Sequence, residues 1–282
     1  MTILSHYITE LQEQIQPMVD AGEAEKALSI LNQALKDKAD DTHFRASILE
    51  LRGTLYYQFD HIEYAMQDFN IALTAMAEGP DDHELNGSLH ASLGAAHHAL
   101  DDIPNTIKHW HQAIKHYQAN EPPLLIDTAT ISNNLGFLHK QAGDMDHAEN
   151  GFLRALQILH GELGKYDAFT ATVFCNLGGL YQQTGFLDQA KKMHETALTI
   201  RSKMLGNAHP DTAQSHNNMA LTLMATGQYD EARSHIEMAL KSFGALGPDY
   251  DEDFQLARAN YIDLLHEVGE YELADELEAK YT

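Results

Sequence analysis

The chain has 282 residues, of which 42 are acidic and 18 are Lys or Arg, giving a formal net charge of −24 at pH 7. This charge argues against a nucleic-acid backbone or an anionic membrane surface as the main partner, because both attract basic proteins. Apolar residues make up 44% of the chain, and glycine and proline are sparse, so the composition predicts an ordered protein with a buried core.

Residues 1–16 form an amphipathic segment that carries Glu10 and Glu13. A secretory signal peptide needs a continuous apolar stretch, and this segment has none. Elsewhere no run approaches the length of a membrane span, and the single cysteine, Cys175, excludes an intrachain disulfide bond. These features predict a cytoplasmic protein.

The predicted helices form pairs that recur about every 42 residues. The first helix of each middle pair carries a small landmark residue: Gly53, Gly94, Gly136, Gly178 and Ala220. The second helices carry Ala27, Ala65, Thr106, Ala148, Ala190, Ala232 and Ala274. Small side chains at these positions allow two antiparallel helices to approach closely, while larger ones such as Phe69, Trp110 and Phe152 fill the gap between them.

A period in this range predicts an all-α fold, a solenoid of about seven antiparallel helical hairpins. Because each repeat of a solenoid contacts only its neighbours, we expect a single solenoid domain over residues 1–282. The approximate repeats are 7–40, 45–80, 86–120, 128–162, 170–204, 212–245 and 253–281.

The landmarks resemble those of the tetratricopeptide repeat, in which Leu-Gly-x2-aromatic on the first helix is followed by alanines on the second. The clearest copy combines Leu177, Gly178 and Tyr181 with Ala190 and Ala197. The family's basic unit has 34 residues, about eight fewer than the unit in this chain. Residues 205–213, Leu-Gly-Asn-Ala-His-Pro-Asp-Thr-Ala, are similar to the longer repeats of kinesin light chains. The resemblance implies a right-handed superhelix that binds peptides or partner helices on its concave surface.

A row of asparagines is the main candidate for partner contact. It comprises Asn134, Asn176, Asn218 and Asn260, which are spaced 42 residues apart. Asparagine is a mediocre helix former, and its amide both donates and accepts hydrogen bonds, as the backbone of an extended peptide requires. Alternatively, each asparagine bonds a neighbouring repeat and holds the superhelical pitch. The other candidates for the same surface are Asn133, Asn217, Thr130, Thr172, Lys140, Gln141, Gln182 and Gln183.

The first helices carry few cations, with Arg52, Lys140 and Arg258 scattered along the chain. Clamps for a terminal carboxylate and the acidic cargo motifs of kinesin light chains both require groove cations, so both fit this chain poorly. We therefore expect a protein or peptide partner of neutral or basic character, and neither nucleic acid nor a membrane. Alternatives are self-assembly into a homo-oligomer through exposed solenoid ends and a peptide-gated regulator.

Histidine is unusually frequent, with 18 residues, six of them in the third unit. His90 and His97 are seven residues apart, as are His109 and His116, so each pair shares a helix face. Imidazole is a common zinc or copper ligand, which makes these four the candidates for a metal site. His97 occupies a position that is usually aromatic in this repeat, which favours a role as a helix spacer. We therefore assign no metal ligand and keep the four histidines as the alternative.

Catalytic motifs are absent from the sequence: it has no Gly-rich phosphate loop, nucleophile elbow or paired-histidine zinc protease helix. Cys175, on the first helix of the fifth unit, is either a groove thiol or a small buried apolar residue. The sequence thus predicts a non-enzymatic interaction scaffold or adaptor with no catalytic residues and no cofactor.

Overall fold

The computed structural model describes residues 3–37, 41–77, 82–164 and 166–279. Over these residues the chain forms fourteen α-helices and one 3-10 helix, with no β-strand. The all-α class and the succession of helical hairpins predicted from the repeat are confirmed. None of the described helices is long and apolar enough to cross a membrane.

Each predicted repeat contains one pair of helices. The pairs are α1 (Ile3–Asp20) and α2 (Ala24–Asp37), α3 (Thr42–Gln58) and α4 (Ile62–Met76), α5 (His83–Ala99) and α6 (Ile103–Ala119), α7 (Leu125–Gln141) and α8 (Met145–Glu162), α9 (Ala168–Gln183) and α10 (Leu187–Leu205), α11 (Pro210–Ala225) and α12 (Tyr229–Leu246), and α13 (Asp251–Glu267) and α14 (Tyr271–Ala279). The first helix of each pair begins two to four residues before the predicted repeat. The 3-10 helix, Pro248–Tyr250, precedes α13.

Contacts between Cα atoms divide the chain into two compact units, Met1–Ile131 and Ser132–Thr282. Unit 1 contains α1 to α6 and the start of α7, and unit 2 contains the rest of α7 and α8 to α14. The core of each unit lies between the two helices of a pair and between successive pairs. Its largest fully buried side chains include Phe69 in unit 1 and Phe152 in unit 2.

Glycines on the first helices bring the two helices of a pair together. A Cβ atom added to Gly53 would lie 2.5 Å from the ring of Phe69, and one added to Gly94 would lie 2.2 Å from the ring of Trp110. These distances are shorter than any van der Waals contact, so only glycine fits beneath the rings. The close helix approach predicted from the small landmark residues is therefore confirmed.

The turn between the two helices of a pair contains a left-handed residue, which in the third and fourth pairs is followed by an aspartate that caps the second helix. In the fourth pair, Gly143 has φ of 80°, and Asp144 then accepts a hydrogen bond from the backbone N–H of His147. In the third pair an aspartate, Asp101, takes the left-handed conformation with φ of 58°, and Asp102 caps α6. A carboxylate here satisfies a free N–H group and suits the positive end of the helix dipole. In these two pairs the turn thus fixes an aspartate at the start of the second helix.

Candidate functional site

Polar side chains in unit 2 line a cavity of about 240 Å³ formed by α7, α9, α10 and α11. The lining residues are Lys140, Thr172, Cys175, Asn176, Gly179, Gln182, His194, Arg201, Gln214 and Asn218. Five of the residues predicted to contact a partner, those at positions 140, 172, 176, 182 and 218, lie together here. The cavity also contains Arg201 and His194 from the second helix, α10, which were not among the predicted contact residues.

Two members of the asparagine row connect neighbouring repeats. Nδ2 of Asn176 donates a hydrogen bond of 2.9 Å to Oδ1 of Asn133, and Nδ2 of Asn260 donates one of 2.9 Å to Oδ1 of Asn217. The two acceptor residues are only 9% and 5% exposed. Each bond joins the first helices of consecutive pairs, so at these two positions the asparagine holds one repeat against the next.

Asn218 has no such bond, because the residue 43 positions before it is Cys175 rather than an asparagine. Over the described ranges the side-chain amide of Asn218 makes no hydrogen bond, and it lies in the cavity lining. Asn134, the first member of the row, accepts only a long hydrogen bond of 3.4 Å from Asn133. Of the four asparagines, Asn218 is therefore the one whose amide remains available within the cavity.

Arg201 reaches the cavity from the last turns of α10 and is only 4% exposed. Its Nη1 atom donates to the carbonyl oxygen of Asp211 at 2.9 Å and to Oγ of Ser215 at 3.0 Å, and Nη2 donates to Oγ1 of Thr172 at 3.1 Å. These acceptors are all neutral, and in the described part of the chain Nε has no acceptor. A buried guanidinium without a carboxylate is costly, because its charge has lost water and gained no counter-charge.

Lys140 and His194 add two more nitrogen groups without an anionic partner. Burial lowers the pKa of the Lys140 ammonium. This group lies against the backbone of α9, since a Cβ atom added to Gly179 would be 2.9 Å from Nζ of Lys140. His194 is 2% exposed, and neither ring nitrogen has a hydrogen-bond partner among the described residues. Burial, helped by the charge of Lys140, lowers the pKa of His194 to about 4, so its ring is neutral at pH 7. The cavity thus presents donors that nothing in its lining satisfies.

The repeat register contains a signal that could have identified both α10 residues. Forty-two residues before and after His194 the chain has Phe152 and Ile236, and the equivalents of Arg201 are Leu159 and Phe243. All four equivalents are buried apolar residues, at most 3% exposed. A polar residue at a position that is apolar in the neighbouring repeats indicates a role other than filling the core. Neither residue was predicted, because all the candidate contact residues were taken from the first helices.

Apart from Gln182, the remaining predicted contact residues lie outside the cavity lining. Oγ1 of Thr130 donates to the carbonyl oxygen of Ile126 in its own helix, and Gln141 and Gln183 are exposed at the ends of α7 and α9. Gln182 does line the cavity, where it accepts a hydrogen bond of 3.1 Å from Thr222. Burial raises the pKa of the Cys175 thiol, which disfavours the reactive thiolate.

The four candidate histidines of the third pair lie next to one another across α5 and α6. Nδ1 of His90 lies 3.0 Å from Nδ1 of His109, the ring of His97 stacks on that of His109, and the ring of His116 stacks on that of His90. The sequence grouped them along single helices, seven residues apart, whereas the closest contact joins residues 19 positions apart. Burial and neighbouring imidazoles lower the pKa of His90 to about 4, so the His90 ring is neutral at pH 7.

Comparisons with known proteins bear on the repeats and on the fold. Residues 127–203 and 169–245 match the family model of the tetratricopeptide repeat. The structure of BtubC (BKLC) from P. vanneervenii is similar, with a TM-score of 0.69 and 22% identity over 87% of this chain and 93% of that one. A protein of Podosopora anserina described as a kinesin light chain with nearly identical TPR-like repeats has a TM-score of 0.61 and 17% identity, covering 74% and 99%. The apo form of RapI has a TM-score of 0.63 and 14% identity, covering 82% and 94%. Comparison with curated proteins found no match.

Proposed function

We propose, from the tetratricopeptide repeats of residues 127–245, that this protein is a non-enzymatic scaffold that binds a segment of a partner protein along the first helices of unit 2. The resemblance to tetratricopeptide repeats, including those of kinesin light chains, is confirmed, and proteins with this fold generally serve protein–protein interaction. The observation that supports the location is the cavity at Asn218, which collects hydrogen-bond donors that lack partners. The proposal places the protein in the cytoplasm and assigns it no cofactor.

The charge of the cavity specifies what the partner segment presents there. Arg201 and Lys140 both lie in the lining, and no ion pair satisfies either of them among the described residues. An acidic side chain or a terminal carboxylate would provide the missing acceptor, since charge-assisted hydrogen bonds are the strong ones in such sites. We therefore modify the expectation of a neutral or basic partner, which rested on the net charge and on the small number of cations in the first helices. The segment carries one acidic group for the cavity, and neutral or basic residues on either side suit the net charge of −24.

The test is a selection of peptides displayed on phage against the intact protein, followed by fluorescence anisotropy with the enriched peptides. We expect enriched sequences to share one acidic position. Replacing that acid with its amide removes a charge-assisted hydrogen bond, which is worth about 1.5–3 kcal/mol and so weakens binding about 10- to 150-fold.

Three matched asparagine variants separate recognition from repeat packing. Asn218→Ala loses only the free amide, so we expect about 2- to 10-fold weaker binding and an unchanged melting temperature. Asn260→Ala removes the bond to Asn217 outside the cavity, so it should lower stability and leave binding intact. Asn176→Ala should lower both, since Asn176 both lines the cavity and bonds Asn133.

Failure to enrich any peptide would count against groove recognition. Equal binding by the wild type and Asn218→Ala, with a peptide that Asn260→Ala also binds, would place the contact surface elsewhere.

A further inference from the structure

We propose that His139, Asp144 and His147 form a binding site for a divalent transition metal, with zinc as the ion they fit. His139 lies near the end of α7, Asp144 caps α8, and His147 lies in the first turn of α8. One ligand atom from each residue lies within 4.8 Å of the other two. In the described ranges of the chain, this is the group of three potential metal ligands that lie close enough to share one ion. Two imidazoles and one carboxylate are ligands of the kind that zinc takes in its open, three-ligand sites.

The distances suit one tetrahedral ion. Nδ1 of His139 lies 3.5 Å from Oδ2 of Asp144, and Nδ1 of His147 lies 2.9 Å from the same oxygen. Two ligands at about 2.0–2.1 Å from a tetrahedral zinc are separated by about 3.3 Å, so the two observed distances bracket the required one. The imidazole rings of His139 and His147 also stack, with centroids 5.1 Å apart and planes inclined by 27°. Small adjustments of side chains would therefore close the site.

The backbone around the cluster holds the three donors in place. Asp144 is fixed by capping α8, where its Oδ1 accepts from the backbone N–H of His147. Below the turn, α7 and α8 touch closely, since a Cβ on Gly136 would lie 2.8 Å from the ring of Phe152. Side-chain exposure rises from 17% at His139 to 68% at His147, so the site is open on one side. That opening leaves the fourth position to water or to a ligand from a partner.

The third pair of helices has the same arrangement with one ligand missing. Nδ1 of His97 lies 3.0 Å from Oδ2 of Asp102, as in the fourth pair, but the position of His147 is occupied by Asn105. Nδ2 of Asn105 donates a 2.7 Å hydrogen bond to Asp102. Because asparagine is accommodated at this point of the repeat, His147→Asn removes a ligand with a substitution that the fold already tolerates.

The experiment is a calorimetric titration of the intact protein with zinc at pH 7.5, repeated with cobalt(II) and visible absorption to report tetrahedral geometry. We expect one ion per chain, and His147→Asn to weaken zinc binding by about tenfold or more. His160→Asn removes an exposed histidine from the same helix and should bind as the wild type does. Asn105→His should add a second site, raising the stoichiometry to two.

Two results would overturn the proposal. The first is a wild-type protein that takes up no zinc at millimolar concentration. The second is binding that survives His147→Asn but is lost in His90→Asn/His109→Asn, which would place the ion in the α5–α6 cluster. Circular dichroism of each variant verifies that the helices remain folded, so that lost binding reports on the ligands.

Discussion

The histidine cluster of α5 and α6 differs from the cavity formed by α7, α9, α10 and α11 in how the polar side chains are satisfied. In α5–α6 the core position is occupied by Trp110, and the histidines lie beside it and pair with one another. In α10 the core position itself is polar: His194 packs over Gly178, where other pairs place an aromatic or aliphatic side chain. Neither of its ring nitrogens has a hydrogen-bond partner among the described residues. Polar groups beside a core can satisfy each other, whereas a polar group inside it depends on something from outside. This contrast is why we locate function in the cavity.

Gly94→Ala and Gly178→Ala should show how rigid the two core positions are. A methyl group on Gly94 would lie 2.2 Å from Trp110, and one on Gly178 would lie 2.7 Å from His194. We expect Gly94→Ala to lower the free energy of unfolding by about 2–3 kcal/mol, and Gly178→Ala to lower it by about 1 kcal/mol. Urea unfolding measures both values. Gly161→Ala, whose methyl group would meet nothing within 4 Å, should be neutral or stabilising and serves as the control.

His194→Phe should restore the packing that Phe152 has in the preceding pair. The substitution removes two buried ring nitrogens without partners, so we expect the free energy of unfolding to rise by about 1 kcal/mol. His90→Phe is the contrasting variant: it leaves His109 without its nearest partner and should not stabilise the protein. If the two substitutions changed the free energy of unfolding equally, His194 would not differ from His90 in lacking a hydrogen-bond partner.

Acid should destabilise the protein through the buried histidines. Burial lowers the pKa of His90, His194 and His216 to about 4 from an ordinary 6.5. Between these values the unfolded chain binds protons that the folded chain does not, so the free energy of unfolding falls as pH drops from 6.5 towards 4. Urea unfolding at several pH values measures the slope, which His194→Phe should reduce. An unchanged slope in that variant would mean that His194 is protonated in the folded protein.

Lys140→Met should have the smallest effect on stability. Burial already lowers the pKa of this ammonium and no ion pair is lost, so we expect a change within about 0.5 kcal/mol. Binding of an acidic peptide selected against the wild type should still weaken about fivefold, since one of two cations is removed. A stability loss larger than that of Gly178→Ala would show that Lys140 supports the core rather than the cavity.

The fold was predictable because its signals are local. The glycines at positions 53 and 94 predict close helix packing, and in the structure the rings of Phe69 and Trp110 pack against them. Part of the cavity was predictable as well, since Asn218 and Lys140 were expected at a binding surface. The role of each asparagine was not: Asn176 and Asn218 look alike along the chain, and they differ only in what lies 43 residues earlier.

The sequence by itself determined the period of 42 residues, the helical hairpins and the positions at which small residues must lie, because neighbours along the chain decide helix pairing. Only the tertiary structure decided which polar groups meet. It joins Asn176 to Asn133 and brings His139 and His147 to Asp144. Among the described residues it leaves the Asn218 amide without a hydrogen bond and Arg201 without a carboxylate. These outcomes depend on side chains from different helices converging at one point. The relevant quantity is a distance in space, which the repeat pattern does not contain.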